Sequence, residues 1–509
     1  MSTPAEPVLF GGWQSERSGF MGNLSGPGFV LVAAASIMAL IPIYIRSWTS
    51  VFLSLPLAVL LLLLAYGRVL GLTADQWIVL AVRHQIAVAT NKNLFFSGVF
   101  APRTKDGQQP MDLPGTLARL RILNAPDGLG SHLGITHNPV DHTYTAVCRI
   151  TFPGLALIDT ERQNARVKAW AAFLRSQCKE DGAITRIAVH QRSLPDDGAA
   201  LRSWTERHTS PDAPPAAVQA LDELMTGAGP VATTRETYLA VTLSSSRARL
   251  AIKGAGGGQV GAAAVLVREI NAMHSALSSA GLHIVGWLSP RGVAQAIRTA
   301  YDPEAHLALA ERNSAAEDSQ WKGTPRGVAP ELAGPAATET GWGVYRHDGA
   351  WTVSYQVRGF PQSEVYATFL QPLLKPRQNA RRSLSLVYEP IGPAKARQEL
   401  AREKTKRQAA RQLRAKTGRA ESEDERREAM TARAQDVARA SGHGVVRLTG
   451  LLAVTVTNLE ELETACAELQ ADASAAGLEL RRVWGAQDDA FAASALPLAQ
   501  GLPDRRVGI

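Results

Sequence analysis

The sequence is poor in cysteine and in aromatic residues, and each shortage excludes a class of protein. Of its 509 residues only Cys148, Cys178 and Cys466 are cysteines, too few for the disulfide framework of a small secreted protein. Aromatic residues make up 6%, and none of them falls between residues 393 and 440, the most basic segment. The stacking of bases on aromatic rings that is typical of single-strand nucleic-acid binders is therefore not expected in that segment.

The chain also lacks the short motifs of common catalytic and metal sites. A phosphate-binding loop needs G-x-x-x-x-G-K-[ST], whereas the most glycine-rich stretch, residues 253–264, has its lysine, Lys253, in front of the glycines. His132, His137 and His142 recur every five residues, a spacing that neither a helix nor a strand places on one face. C-x-x-C and G-x-S-x-G are absent. We therefore expect no cofactor and no metal, and we expect that the chain is not an enzyme by itself.

Two long apolar runs are present near the amino terminus, separated by a short polar break. Residues 29–45 and 48–66 hold no charged side chain, and Arg46 and Ser47 stand between them. Each run is close to the roughly 20 residues that cross a bilayer as a helix. The pattern predicts a transmembrane helical hairpin.

The residues at the ends of these runs are typical of a membrane interface. Tyr44, Trp48 and Tyr66 would be aromatic anchors, and Arg46 and Arg68 would lie at the headgroups. Because basic residues are in excess outside the short turn, we expect both termini on the cytoplasmic side. The predicted localisation is the plasma (inner) membrane, with the lipid bilayer as a partner, two transmembrane helices and a cytoplasmic body.

The remainder of the chain alternates between helical and strand-like periodicity. Strands are predicted within residues 77–100 and over residues 381–391, and a helix over residues 361–374. Ser289-Pro290 is a helix start signal, and Asp348-Gly349 is typical of a hairpin turn.

Two short stretches have the same layout. SALSSAGLHIVGW (residues 275–287) and ADASAAGLELRRVW (residues 471–484) both join a helix end through Ala-Gly-Leu to a strand that closes on tryptophan. We therefore predict an α+β fold in which the hairpin is followed by two ferredoxin-like α/β lobes with a long charged helical insertion. The predicted divisions are a polar Gly-rich leader (1–28), the hairpin (29–66), a strand-rich connector and linker (67–114), a first lobe (115–330) and a second lobe (331–509).

The insertion, at about residues 393–440, carries most of the net charge. The whole chain has a formal net charge of +8, and this segment, with 14 Lys/Arg and 8 Asp/Glu, has +6. A solvent-exposed arm is the favoured interpretation, and a contact surface for an acidic partner, lipid headgroups or nucleic acid is the alternative. The candidate contact residues are Arg402, Lys404, Lys406, Arg407, Arg411 and Arg414.

The order of segments resembles the amino-terminal, non-ATPase portion of the VirB-type ATPase of type IV secretion systems. The stretches that carry the resemblance are YLAVTLSSSRARL (238–250), LSPRGVAQAIRTAYDP (288–303), FLQPLL followed by RRSLSLVYEPI, and the last stretch, 448–500, with Phe491, Leu496 and Pro497. The hairpin and its leader are similar to the two-helix membrane subunits of the PrgI/VirB type. The chain as a whole thus resembles actinobacterial conjugation-associated membrane proteins.

The resemblance implies a non-catalytic inner-membrane scaffold of a conjugative DNA-transfer apparatus. In the family, the stretch around Phe491 and Pro497 leads into the P-loop motor, so the scaffold would dock a separate P-loop conjugation ATPase. Other secretion-complex subunits and a second copy of the chain are further candidate partners. Two alternatives stay open at this point. One is a membrane component of a type VII secretion complex, and the other is a membrane-tethered protein that contacts nucleic acid through the Arg-rich arm.

Overall fold

The computed structural model describes most of the chain between residues 26 and 502. The described residues are 26–45, 48–69, 72–98, 113–126, 132–152, 158–195, 212–228, 233–315, 325–361, 365–375, 380–399 and 444–502, with isolated positions between them.

Antiparallel strands form the centre of the fold. The first two pair only with each other, and the other 13 form one sheet, in the order β3-β10-β11-β12-β14-β13-β7-β8-β6-β5-β4, with β15 paired to β12 and β9 to β6. The strands are β1 (Arg68–Val69), β2 (Leu72–Thr73), β3 (Leu94–Phe96), β4 (Arg121–Pro126), β5 (His132–Asn138), β6 (Thr143–Thr151), β7 (Ile184–Pro195), β8 (Thr233–Ser244), β9 (His283–Trp287), β10 (Ala337–Thr340), β11 (Tyr345–His347), β12 (Ala350–Gly359), β13 (Arg381–Ile391), β14 (Val445–Val456) and β15 (Glu479–Arg482).

The described residues form helices on both faces of the large sheet and beside it. They are α1 (Gly26–Ile45), α2 (Trp48–Tyr66), α3 (Ala74–Ala89), α4 (Thr160–Gln177), α5 (Pro215–Ala228), α6 (Arg249–Gly254), α7 (Gly258–Ser279), α8 (Pro290–Tyr301), α9 (Ala305–Ala315), α10 (Leu462–Ala475) and α11 (Gln487–Ser494). Short 3-10 turns lie at Gly115–Leu117, Pro330–Leu332, Gln371–Leu374 and Leu459–Glu461.

The core is divided between the two faces because side chains alternate along each strand. On one face, α8 and α11 cover a central cluster that includes Ala188, Val387 and Ala453; we call it the α8–α11 face. On the other, the α7–α10 face, α4 and α7 cover one end of the sheet and α10 covers the other.

The prediction of two separate ferredoxin-like lobes is wrong in its arrangement, because the strands of both regions belong to one continuous sheet. Strands β7 and β13 pair with each other and join the two regions. The physical reason is that each region ends in an open strand edge, and pairing these edges satisfies the backbone donors and acceptors of both. We refer to β4–β9 as the first half and to β10–β15 as the second half.

The two halves repeat the same strand order. In the first half β9-β6-β8-β7 are neighbours, and in the second half β15-β12-β14-β13 are neighbours in the same sequence order. The β6–β9 and β12–β15 pairings each contain a register shift, with the extra residue at Val285 of β9 in the first and at Arg358 of β12 in the second. Buried hydroxyls also correspond: Thr145 contacts Thr242 at 2.9 Å, and Thr352 contacts Thr455 at 2.7 Å. Each pair of threonines also has an arginine on the next strand: Arg186 of β7 pairs with Thr242, and Arg381 of β13 pairs with Thr455.

These equivalences define an internal two-fold axis. Arg186 and His190 in β7 occupy the places that Arg381 and Ser385 occupy in β13, and His190 lies directly opposite Ser385 in the β7–β13 pair. Two equivalent positions that face each other across antiparallel strands must lie at the axis. The axis therefore passes through the sheet between His190 and Ser385.

The two apolar runs do form helices, α1 and α2, but the transmembrane prediction is wrong: within the described ranges, no helix combines the length and the apolar character needed to cross a membrane. An apolar run predicts that its side chains will be buried, but the covering surface can be protein as well as lipid. Here the two helices pack on each other through small residues, and Ala35, Ser54, Ala58 and Ala65 are buried. The predicted inner-membrane localisation with two transmembrane helices is corrected with it.

The positions assigned to a membrane interface are helix ends and a short strand. Tyr44 and Tyr66 are exposed near the ends of α1 and α2, Trp48 is the first residue of α2, and Arg68 pairs with Thr73 between β1 and β2. Arg46 and residues 1–25 of the predicted leader lie outside the described residues, and its residues 26–28 belong to α1. Large apolar side chains on the outer surfaces of α1 and α2 are exposed, among them Phe29, Ile37, Leu40, Phe52, Leu60 and Leu63.

Two further elements differ from the sequence prediction. The region 77–100, predicted as strands, is largely helix α3, at whose start the Thr73 N–H donates to Gln76 Oε1 at 3.3 Å, and only β3 is extended. The predicted helix over residues 361–374 is wrong: its described residues are mostly turns that end in the 3-10 segment Gln371–Leu374. The helix α3 attaches to the second half, where the Trp77 ring lies 5.6 Å from Trp342 and 5.9 Å from Trp484.

Candidate functional site at the junction of the two halves

The last described segment, Gln487 to Gln500, crosses the α8–α11 face from the second half to the first. It begins as α11, where Gln487 Oε1 accepts a hydrogen bond from Ser354 N at 2.9 Å. It ends where Asn138 Nδ2 of β5 donates to Gln500 Oε1 at 2.8 Å. Residues 490–500 are all buried. The segment therefore holds the two halves together as one platform.

An aromatic cluster anchors the start of this segment. The Phe491 ring is fully buried, with ring centroids 4.9 Å from Tyr301, 5.1 Å from Tyr345 and 4.6 Å from His347. His347 Nδ1 donates to the backbone oxygen of Tyr301, which leaves Nε2 to accept from Thr352 Oγ1 at 2.7 Å. Burial lowers the pKa of His347 to about 4, so that this ring is neutral at pH 7.

A buried ion pair lies on the same face, beside the β7–β13 pair that joins the two halves, which we call the junction. Arg192 Nε and Nη2 donate to Glu236 Oε2 at 2.9 and 2.8 Å, and Tyr238 donates to the same oxygen at 2.9 Å. Arg192 also reaches α8, where Nη1 donates to the backbone oxygen of Ala296 and Nη2 to Thr299 Oγ1, each at 2.9 Å. All three nitrogens of this guanidinium thus donate hydrogen bonds that fasten β7 to β8 and to α8.

Electrostatics keep this pair ionised. Burial alone would raise the pKa of Glu236, but the charges of Arg192 and Arg149 and the hydrogen bonds from Arg192 and Tyr238 lower it to about 2. Burial raises the pKa of Tyr238 to about 12. Neither group exchanges a proton near pH 7, so the network is suited to structural support rather than to acid–base catalysis.

His190, at the two-fold axis, is a buried histidine with neither ring nitrogen hydrogen-bonded. Burial and the nearby charge of Arg192 lower its pKa to about 3, although Glu236 acts in the opposite direction. The ring is therefore held in its neutral form inside the junction.

We expect the stability contributed by His190 to be lost in acid. Its folded pKa of about 3 is below the ordinary value of 6.5, so the unfolded state binds the proton more readily and stability falls as the pH drops from 6.5 towards 3. Between pH 7.5 and 5, the free energy of unfolding should fall by about 2 kcal/mol more in the natural chain than in His190→Leu. Urea unfolding of both proteins at the two pH values measures this difference. Equal pH dependence of the two proteins would contradict it.

The residues singled out from the sequence are dispersed. His132 and His137 are in β5, where His137 stacks on Tyr144 at 4.4 Å. His142 is in the turn between β5 and β6, with a φ of 54°. Arg402 is exposed, and the other arm candidates, Lys404, Lys406, Arg407, Arg411 and Arg414, lie outside the described residues. Among the described residues, no group of three or more His, Cys, Asp or Glu side chains could hold a metal ion.

Sequence reasoning missed the junction residues. A usable signal was present: His190 and Arg192 in β7, like Glu236 and Tyr238 in β8, are polar residues at alternating positions, which places each pair on one face of its strand. Polar residues that share a face with core residues are expected to find partners when they are buried. Comparison with known proteins found no family model and no curated protein that matches the chain.

Proposed function

We propose that the chain is a non-catalytic docking scaffold for a separate P-loop motor ATPase in a DNA-transfer apparatus of the type IV secretion kind. The order of the segments supports this proposal through its resemblance to the non-ATPase portion of the VirB-type ATPase. The sequence also has no glycine-rich loop with the lysine and hydroxyl that a nucleotide phosphate needs.

The course of residues 487–500 is the observation that carries the proposal. In the resembling family the stretch that contains Phe491, Leu496 and Pro497 stands directly before the motor. Here the same stretch is buried across both halves and reaches the surface next to β5 at Gly501 and Leu502, which are half-buried. A motor subunit that binds where this segment emerges would contact a rigid platform built from both halves.

The turn between β5 and β6 provides an accessible test position at this place. Asn138, which bonds Gln500, also accepts a hydrogen bond from the backbone N–H of Val140 at 3.0 Å. Val140 itself is 58% exposed. Its side chain therefore belongs to the surface that a docked motor would cover.

Val140→Glu is expected to reduce the amount of P-loop ATPase that co-purifies with the tagged protein by about tenfold or more, because an unpartnered charge in a contact costs at least about 1.4 kcal/mol. Quantitative mass spectrometry of the purified complex measures the change. Val218→Glu is the matched control, since Val218 is 42% exposed on α5, which connects the opposite ends of β7 and β8. Recovery of no P-loop ATPase by the natural chain would refute the proposal, and equal losses in both variants would refute the docking position.

A further inference from the structure

A small basic cleft opens on the α7–α10 face, where the ends of β7, β8 and β13 meet the 3-10 segment Gln371–Leu374. Its walls include Ser193, Arg235, Lys375, Arg382 and Ser383, and it has a volume of about 20 Å³. A space of that size admits one water-sized group. The cleft is on the side of the sheet opposite the Arg192–Glu236 pair and is independent of the proposed docking position.

Arg382 is the central side chain of the cleft. Only 6% of it is exposed, and its Nη1 donates to Asp472 Oδ2 of α10 at 2.6 Å. Its Nε and Nη2 are buried and have no hydrogen-bond partner, and Glu468, at 3.9 Å from Nη2, is too distant for one. Buried guanidinium N–H groups without an acceptor are costly, so an acceptor placed beside Nε and Nη2 would relieve that cost.

The two carboxylates near the cleft, Asp472 and Glu468, are both paired with arginines. Asp472 accepts from both Arg382 and Arg377, and Glu468 lies 3.3 Å from Arg377 Nε. Burial would raise the pKa of Asp472, but the hydrogen bonds from Arg382 and Arg377 lower it, which keeps this carboxylate ionised.

Two more basic side chains stand at the mouth of the cleft. Arg235 and Lys375 are exposed and form no ion pair with any described acidic residue. The cleft and its surroundings thus hold four basic side chains and two carboxylates. The carboxylates pair with Arg382 and Arg377, so the charges of Arg235 and Lys375 are not neutralised. The site therefore favours an anion over a cation.

We propose that this cleft binds a phosphate group. One phosphate oxygen fits this space and accepts from both Nε and Nη2, which lie on the same edge of the Arg382 guanidinium. The other oxygens of a tetrahedral phosphate point outwards, towards Lys375 and Arg235. Both a free phosphate and a phosphodiester of a nucleic-acid strand present such oxygens, so the two sources share one chemistry.

The test measures binding of inorganic phosphate and of a single-stranded oligonucleotide to the full chain by titration calorimetry. Arg382→Lys keeps the charge beside Asp472 but removes the paired donors, and it should weaken binding by about tenfold or more. Lys375→Gln, at an exposed position that folding does not need, should weaken it several-fold. Lys253→Gln, an exposed lysine on α6, is the matched control and should change nothing.

The two probes distinguish the sources. Tighter binding of the oligonucleotide, with an affinity that falls steeply with salt and is lowered by Arg382→Lys and Lys375→Gln, assigns the site to nucleic acid. Binding of inorganic phosphate with equal or higher affinity, lowered by the same variants, assigns it to a free phosphate. Failure of both probes to bind, or binding that neither variant weakens, would overturn the proposal.

Discussion

Arg192→Met is expected to lower the free energy of unfolding by about 3–5 kcal/mol, because it leaves the carboxylate of Glu236 buried without its main partner. The substitution removes both hydrogen bonds to Glu236 and those to Thr299 and to the backbone of Ala296. Arg149, 3.5 Å from Glu236 and half-exposed, replaces little of this interaction. Urea unfolding at pH 7 measures the loss.

The double variant Arg192→Met/Glu236→Leu separates the ion pair from packing. Because an apolar pair avoids the buried charge, the double variant should recover most of the stability that the single variant loses. Arg235→Met, an exposed arginine adjacent to Glu236, is the control and should change the free energy of unfolding by at most about 0.5 kcal/mol. A loss near 0.5 kcal/mol in Arg192→Met would show that the pair contributes little.

Phe491→Ala is expected to cost about 3–5 kcal/mol, as large-to-small substitutions in a packed core do. The ring fills the space between Tyr301, Tyr345 and His347. Its loss should also loosen residues 495–500, because α11 fixes their path across the sheet. Thermal unfolding gives the first effect, and hydrogen exchange of the backbone amides in residues 495–500 gives the second.

Phe491→Leu provides the matched control, since it keeps an apolar side chain and leaves a smaller cavity. We expect it to lose clearly less stability than Phe491→Ala and to preserve slow exchange in residues 495–500. Fast exchange in the natural chain would contradict the role of this segment as the link between the halves.

Local signals in the sequence predicted several elements correctly. Ser289 caps α8 by accepting from Gly292 N, and Pro290 is the first helical residue, as predicted. Asp348, with a φ of 45°, turns the chain between β11 and β12, and β13 covers residues 381–391. These predictions succeed because caps, turns and alternation depend on residues close together in the sequence.

The prediction failed at α3 because the pattern was ambiguous. The β-branched residues Ile78, Val79, Val82 and Ile86 favour strands by composition, but their spacing also places them on one side of a helix. The hydrogen bond from the Thr73 N–H to Gln76 Oε1 and the contact of Trp77 with Trp342 and Trp484 favour the helix. The tryptophan contacts join residues far apart in the sequence, and so they could not be predicted from it.

The junction could not be predicted for a related reason. Similar stretches at 275–287 and 471–484 suggested a repeat, but nothing local specifies that β7 pairs with β13 or that Arg192 faces Ser383. Register across a sheet is set by packing on both faces. The Arg192–Glu236 pair depends on that register and on the placement of α8. The predicted boundaries of the first lobe (115–330) and the second lobe (331–509), like the arm and its contacts, stay predictions.

The pairing of His190 with Ser385 at the two-fold axis has a consequence for how the sequence could diversify. In an assembly of two identical subunits, the residue at the axis faces its own copy, so a histidine there would meet a histidine and a serine would meet a serine. A single chain that contains both halves is free of that constraint. Here a bulky ring on β7 is accommodated by a small hydroxyl side chain on β13, a combination that two identical subunits could not provide.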